Sequence, residues 1–323
     1  MNYFKNQICD FKDPVVTMGT FDGVHLGHRH LIEIIKSKAQ QKNRKSVAIS
    51  YYHHPLETIH KKTFPYLLTE RKYKENLLKQ MGIDCVIYLD FNQEMANMSA
   101  DEFLKKIIIN EVGPSEIVIG YDTHFGKNRE GDFKFLEENA EKYHYLITAI
   151  EPYRIKNKII SSSRIRDFIR EGDMEQANQF LGRFYSVTGI IRSGDKIGRK
   201  IGFPTINIEP IDTFQLEPSV GVYICKVAVD GCEYTGVTNI GYSPTLKKTG
   251  VKEIETHILD FDGDLYRKEV EIKFVKRLRD ELYYILDKKQ ALKMSIKVNL
   301  LFVLYSIMCY NFALYYSFRI SYD

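Results

Sequence analysis

Short apolar runs alternate with helical patterns through the first half of the chain. Residues 15–18, 46–51, 85–89, 117–120 and 146–150 are compact apolar stretches of the kind that fill a strand buried on both faces. Between them, 31–41, 70–81, 100–111 and 133–143 set apolar side chains three and four apart, as a helix with one buried face requires. This alternation predicts a parallel, doubly wound sheet with its ligand site at the carboxyl ends of the strands. After Arg183 the pattern changes. Residues 185–191, 220–229, 234–239, 255–261 and 268–275 read as strands with few helices between them. Asp230-Gly231 and Asp262-Gly263 are hairpin-turn dipeptides flanked by alternating sequence. The second half therefore predicts an antiparallel barrel or sandwich. The boundary falls near 182–185, without a Pro/Gly/Ser linker, and no internal repeat is visible.

Composition narrows this only a little. A chain of 323 residues is long enough for two domains, and its net charge of +4 comes without any block of like charge. Nucleic-acid binding is not demanded by that charge. Five scattered cysteines without a CxxC pair read as reduced thiols, which points to the cytoplasm. Residues 1–13 lack an apolar signal core. One segment stands apart: residues 298–318, bounded by Lys297 and Arg319, are almost wholly apolar or aromatic and long enough to span a bilayer. Asn299, Ser306, Cys309, Asn311 and Ser317 interrupt it, so a packed or poorly folded tail is the expectation. Membrane contact enters only if this tail is an anchor.

The chemistry starts where the first strand ends. Gly19-Thr20-Phe21-Asp22-Gly23-Val24-His25-Leu26-Gly27-His28 joins that strand to the first helix. A helix start offers unpaired N–H groups and partial positive charge to phosphate, and glycines at 19, 23 and 27 let the backbone come close. Two imidazoles aimed there suit stabilisation of charge on a transferring phosphoryl group. A metal site using His25, His28 and His30 is the alternative, although no Cys or carboxylate cluster lies beside them. Ser161-Ser162-Ser163-Arg164-Ile165-Arg166 opens another helical pattern, which taken alone reads as ordinary N-capping or as an anion site of hydroxyls, N–H groups and a guanidinium.

The ten-residue string resembles the HxGH signature of nucleotidylyltransferases in its GxFDGVHxGH form. It is similar to the adenylyltransferase module of the bacterial bifunctional riboflavin kinase/FAD synthetases. Residues 161–166 resemble that family's SSTxIR, with Ser163 in place of Thr. Residues 120–131 resemble GxDFxFGxxRxGD, matching at Asp122, Phe125, Gly126, Arg129 and Gly131 and departing at Thr123 and His124. Residues 51–57 resemble TFxPHPxE, retaining His54 and Pro55, with His53 and Leu56 as departures. The resemblance implies adenylyl transfer from ATP to FMN. His25 and His28 would hold phosphate oxygens and Arg166 the pyrophosphate side. Gly19, Thr20, Phe21, Asp22, Gly23, Gly27, Ser161, Ser162 and Ser163 would bind nucleotide. His54, Pro55, Asp122, Phe125 and Arg129 would bind flavin.

The second half carries its own signal, residues 194–207. Gly194 and Gly198 are too close for a Walker A loop, but a Gly-rich loop with Arg199 and Lys200 can still wrap phosphates. On a strand, Thr205 and Asn207 would point the same way, and both offer oxygen suited to hydrated Mg²⁺. The stretch closely resembles GxxxGRxxGFPTxN of riboflavin kinase. That resemblance implies nucleotide contacts from Gly194, Gly198, Arg199, Lys200 and Gly202, and a metal held by Thr205 and Asn207. Residues 255–261 match ETHIxDF and imply Glu255 as general base. Residues 238–245 match xNIGxxPT, and Arg279 matches LRxE. Asn239, Gly241 and Arg279 are thereby implied beside the flavin.

The expected organisation is an adenylyltransferase domain at 1–183, an all-β kinase domain at 184–293 and an atypical tail at 294–323. The expected function is riboflavin to FMN and then FMN to FAD, consuming ATP at each step with Mg²⁺. Riboflavin, FMN, FAD and ATP are the expected partners, with no nucleic acid. A single-activity nucleotidylyltransferase, or a flavin-binding protein with an impaired kinase domain, is the alternative. Oligomeric state is not legible.

Overall fold

The computed structural model describes residues 9–59, 66–192, 204–242 and 252–280. Two compact units emerge, Met1–Ile165 with Phe180–Gly182, and Arg166–Gln179 with Arg183–Asp323. The tail at 294–323 and the loop residues Gly194, Gly198, Arg199, Lys200 and Gly202 lie outside the described residues.

In the first unit, β1 (Val15–Met18), β2 (Ser46–Tyr51), β3 (Cys85–Leu89), β4 (Glu116–Gly120) and β5 (Leu146–Ile150) form one parallel sheet ordered β3-β2-β1-β4-β5. The chain runs outward from β1 to β3, then restarts on the other side at β4. The switch point therefore lies between β1 and β4, where such sheets open a crevice at their carboxyl ends. The helices are α1 (Leu26–Gln41), α2 (Pro55–Ile59), α3 (Arg71–Gln80), α4 (Gln93–Ala96), α5 (Ala100–Phe103) and α6 (Phe133–Tyr143).

The central strands are buried on both faces because each face has its own apolar layer. Val16, Val47, Ile87 and Ile117 pack with Phe103, Leu104 and Leu136 on one side. Val15, Ala48, Val86 and Val118 pack with Ile32, Ile35, Leu77 and Leu78 on the other. The apolar spacing predicts a helix over 100–111, but Leu104–Val112 winds as a π-helix. Its buried Leu104, Ile108 and Val112 are four apart, a spacing the wider turn keeps on one face.

The thiol expectation is corrected. Cys9 and Cys85 are joined in a disulfide, their Cα atoms 6.2 Å apart, while Cys225 and Cys232 are free. A separation of 76 residues leaves no local sequence signal, since tertiary packing alone brings Cys9 to the layer containing Cys85.

The chain continues through a short hairpin, β6 (Arg154–Ile155) and β7 (Lys158–Ile159), to α7 (Ser162–Glu171) and α8 (Met174–Leu181). In the second unit, β8 (Tyr185–Arg192), β9 (Thr205–Pro210), β10 (Gly221–Val229), β11 (Cys232–Tyr242), β12 (Lys252–Ile258) and β13 (Glu269–Arg279) close an antiparallel barrel. Its order is β10-β11-β12-β9-β8-β13, with β13 returning to β10. Tyr185, Tyr223 and Phe274 fill its interior with Val187, Val227 and Ile272. The Asn178 side chain of α8 donates to Phe274 O at 2.9 Å and accepts from Tyr185 N at 2.7 Å.

Of the two expected hairpins, one forms. Asp230 and Gly231 both take positive φ, 51° and 77°, and let Val229 pair with Cys232. Asp262-Gly263 joins strands that do not pair, because β9 and β8 lie between β12 and β13.

Candidate functional sites

The turn after β1 is shaped by strain and by hydrogen bonds. Phe21, Gly23 and Val24 adopt φ of 49°, 87° and 38°. Positive φ is costly for a β-branched residue such as Val24, so the surrounding structure must impose it. Asp22 helps do so. Its carboxylate accepts from Leu68 N at 2.9 Å and Thr69 N at 3.3 Å, while Gly23 N donates to Thr69 Oγ1 at 3.1 Å. Ser162 Oγ donates to Asp22 O at 2.8 Å. The start of α7 thus meets the turn.

His25 is the N-cap of α1, and its Nδ1 accepts from His28 N at 3.2 Å. In the neutral ring this places the proton on Nε2, leaving that nitrogen a donor. The His25 and His28 rings stack in parallel with centroids 3.6 Å apart, and Phe21 meets His28 edge-on at 5.3 Å. Gly27 lies close beneath them: a Cβ there would come 3.2 Å from the His25 ring, which would have to shift by a few tenths of an ångström. Stacked imidazoles form a paired wall rather than converging on a metal. Among the described residues no group of three or more His, Cys, Asp or Glu is placed to hold one. The Nε2 donor of His25, set at the N-terminus of α1, has the chemistry that attracts phosphate oxygens.

The other first-unit candidates are placed unequally. Ser161 Oγ accepts from Arg164 N at 3.4 Å, and Ser163 lies within the first turn of α7. Arg166, one turn further, is buried and belongs to the second compact unit. His54 Nδ1 accepts from Leu56 N at 3.2 Å, Glu57 accepts from His54 N at 2.9 Å, and Pro55 begins α2. Asp122 O contacts His124 Nδ1 at 2.9 Å, and Arg129 Nη2 lies 3.2 Å from the same nitrogen. The Phe125 ring is spent in the core beside Phe103 and Phe135. That loop accordingly presents Asp122, His124 and Arg129.

Two neighbours carried no sequence signal. Arg71 lies 3.9 Å over the Tyr52 ring, and Lys74 turns its ammonium toward Thr20 O at 3.2 Å and Tyr51 O at 3.3 Å. In sequence both are ordinary charges on a helical pattern.

On the barrel, alternation separates inside from outside. Ile254, Thr256 and Ile258 are buried, so Glu255 and His257 face outward from β12. Register places Asn207 of β9 on one side of Glu255 and Asn239 of β11 on the other. Thr205 Oγ1 donates to Glu255 at 2.6 Å, and His257 Nδ1 lies 2.8 Å from Pro204 O. Thr205, Asn207, Asn239 and Glu255 thus form one oxygen-rich strip across three strands. Gly241 lies further along β11, and Arg279, at the end of β13, pairs with Val222 and donates to Asp280 O at 2.8 Å.

Comparison with known proteins agrees with both folds. Residues 8–164 match the FAD synthetase family model and 181–302 the riboflavin kinase model. A bifunctional riboflavin kinase/FMN adenylyltransferase from Bacillus subtilis is 35% identical, covering 83% of this chain and 84% of its own. Its counterpart in Buchnera aphidicola subsp. Schizaphis graminum is 33% identical, over 89% and 92%. A solved structure described as a macrolide-efflux protein from Streptococcus pneumoniae superposes with a TM-score of 0.79 at 26% identity, covering 90% of this chain and 93% of that one. Among the described residues, no helix is long and apolar enough to cross a membrane.

Proposed function

Because the chain belongs to the bifunctional riboflavin kinase/FMN adenylyltransferase family, we propose that each of its two folds houses one of the two reactions. Residues 184–293 phosphorylate riboflavin to FMN, and residues 1–183 transfer the adenylyl group of ATP to FMN, releasing pyrophosphate. We place both steps in the cytoplasm, where ATP is supplied. The observation that carries this reading is the pairing of an imidazole-lined helix start at a sheet switch point with an oxygen-rich strip on a barrel.

In the adenylyl step the FMN phosphate attacks the α-phosphorus in line. His25 and His28 donate to phosphate oxygens as charge builds, and Arg166 meets the departing pyrophosphate. The turn from Gly19 to Gly23, Gly27 and the serines 161–163 receive the nucleotide. His54, Pro55, Asp122 and Arg129 line the flavin side, while Phe125, expected beside them, is corrected to a core residue that props the loop.

In the kinase step Glu255 accepts the proton of the riboflavin primary hydroxyl as its oxygen attacks the γ-phosphorus, the bond to the bridging oxygen breaks and ADP departs. Asn239, Gly241 and Arg279 flank the flavin. Gly194, Gly198, Arg199, Lys200 and Gly202 bind the nucleotide. The Thr205 and Asn207 oxygens, hard donors beside a carboxylate, fit Mg²⁺. Bound with ATP, the ion neutralises phosphate charge. Thr205 meanwhile orients Glu255.

Incubating the full chain with riboflavin, ATP and Mg²⁺ and separating the flavins by chromatography tests the reading. FMN should appear first and FAD after it. Conversion of neither flavin would overturn it.

A further inference from the structure

The inward face of α3 holds an exception to its own pattern. Leu77 and Leu78 are buried against the sheet, and position 74 lies on the same side, three and four residues earlier. An apolar residue belongs there, yet the chain has a lysine. Its ammonium reaches Thr20 O at 3.2 Å, Tyr51 O at 3.3 Å and Ser50 Oγ at 3.5 Å. Three N–H donors thus meet three oxygens. Tyr51 is the last residue of β2, and Thr20 belongs to the turn that follows β1. Ser50 Oγ also donates to Thr20 O, at 3.3 Å.

We propose that Lys74 is a positioning residue for adenylyl transfer: it ties the carboxyl ends of β1 and β2 together and holds a fixed positive charge beneath the turn that receives the nucleotide phosphates. This rests on the reading of residues 19–28 as the adenylyl site. A charge drawn in here is poor value for stability, since an apolar side chain of similar volume would fill the place at less cost. A preorganised cation acts on phosphate charge in a way no apolar residue can.

The charged and titratable surroundings are Asp22 of the turn, Glu57 of α2, Arg71 of α3 itself, Tyr51 of β2 and Tyr88 of β3, whose ring centre lies 5.7 Å from the ammonium. Burial outweighs the pull of Asp22 and brings Lys74 down from 10.5 to about 8. Burial pushes Tyr51 up to about 12 and raises Tyr88 as well, so neither phenol titrates alongside it. The folded chain therefore loses this proton at lower pH than the unfolded chain does. Between about 8 and 10.5 the unfolded state binds more protons, so this group makes stability rise with pH. Adenylyl transfer should fall across the same interval as the ammonium is lost. Opposite trends in stability and rate would mark an electrostatic role that simple packing does not produce.

The test measures FMN-to-FAD conversion by the full chain with ATP and Mg²⁺ from pH 6.5 to 10, with thermal unfolding in the same buffers. Riboflavin phosphorylation by the same protein is the internal control. In the native chain kcat/KM for ATP should decline above an apparent pKa near 8 while the unfolding temperature does not. Lys74→Met should lower kcat/KM for ATP by roughly tenfold to a hundredfold, mostly through KM, and abolish that decline. Lys74→Arg should recover part of the loss and stay flat to pH 10, because its charge persists. FAD formation by the native chain without a limb near 8, or an unimpaired Lys74→Met, would overturn the proposal alone. If Lys74→Met loses both steps through misfolding, the native and Lys74→Arg profiles decide. Absence of FAD formation by the native chain at any pH would overturn the site reading and this proposal together.

Discussion

The two candidate sites differ in how far apart their parts lie along the chain. On the parallel sheet, Gly19 to His28 is a single turn, and its imidazoles meet because one caps the helix that carries the other. On the barrel, Thr205, Asn207, Asn239 and Glu255 come from three strands and meet only through register. A one-residue slip of β12 would turn Glu255 into the barrel interior. The first site therefore depends on local backbone geometry, and the second on the whole closure of a sheet. The turn sets the imidazole pair by itself, although Leu68, Thr69, Ser162 and Lys74 anchor that turn from elsewhere in the chain.

The sharpest way to break this comparison is to disable each site alone. Glu255→Ala should lower FMN formation by roughly a thousandfold and leave FMN-to-FAD conversion intact, as flavin chromatography will read. His28→Ala should do the reverse, lowering FAD formation by about a hundredfold or more while phosphorylation continues. Loss of both steps from either variant in a folded protein would refute the two-site assignment.

Next in size is a backbone test of the local site. Gly23 has φ of 87°, and a Cβ there would lie 2.9 Å from Leu68 Cδ1. Gly23→Ala should destabilise the first unit by roughly 1–3 kcal/mol, seen as an earlier unfolding transition. It should slow FAD formation and spare the kinase step. Equal damage to both steps would mean that the turn is not a local device.

The smallest effect lies at the opposite end of the same sheet. Glu116, buried at the start of β4, accepts from Lys38 at 2.7 Å and Thr148 at 2.8 Å. Burial alone would raise its pKa, but hydrogen bonds from Lys38, Lys42 and Thr148 outweigh burial and hold it below 4.5. Its contribution is thus present above that value and lost as pH falls through the lower, folded value. Glu116→Gln should cost about 1–2 kcal/mol near neutrality, and the gap to the native chain should close in acid. Neither reaction should change in rate.

The local site was legible because its residues, spacing and strand–helix context are contiguous in sequence. His25 and His28 needed no tertiary information to be set side by side. The barrel site was legible only as separate strings, since nothing along the chain says that β9 pairs with β12. The same blindness explains the failed Asp262-Gly263 hairpin, which has the right turn dipeptide between strands that the barrel order keeps apart. Lys74 was hidden for another reason. A lysine on a charged helix looks solvated until the sheet edge above it is known. Nothing along the chain announces the Cys9–Cys85 pair, because their meeting is a product of packing alone.

The double duty of His25 has a consequence for how mutagenesis of this protein is to be interpreted. Its ring is both one half of the stacked imidazole pair and the acceptor that starts α1. Replacing it removes a helix cap, worth about 1 kcal/mol, along with any contribution to the reaction. A His25 variant reports a sum of folding and chemistry, whereas a His28 variant leaves that cap in place.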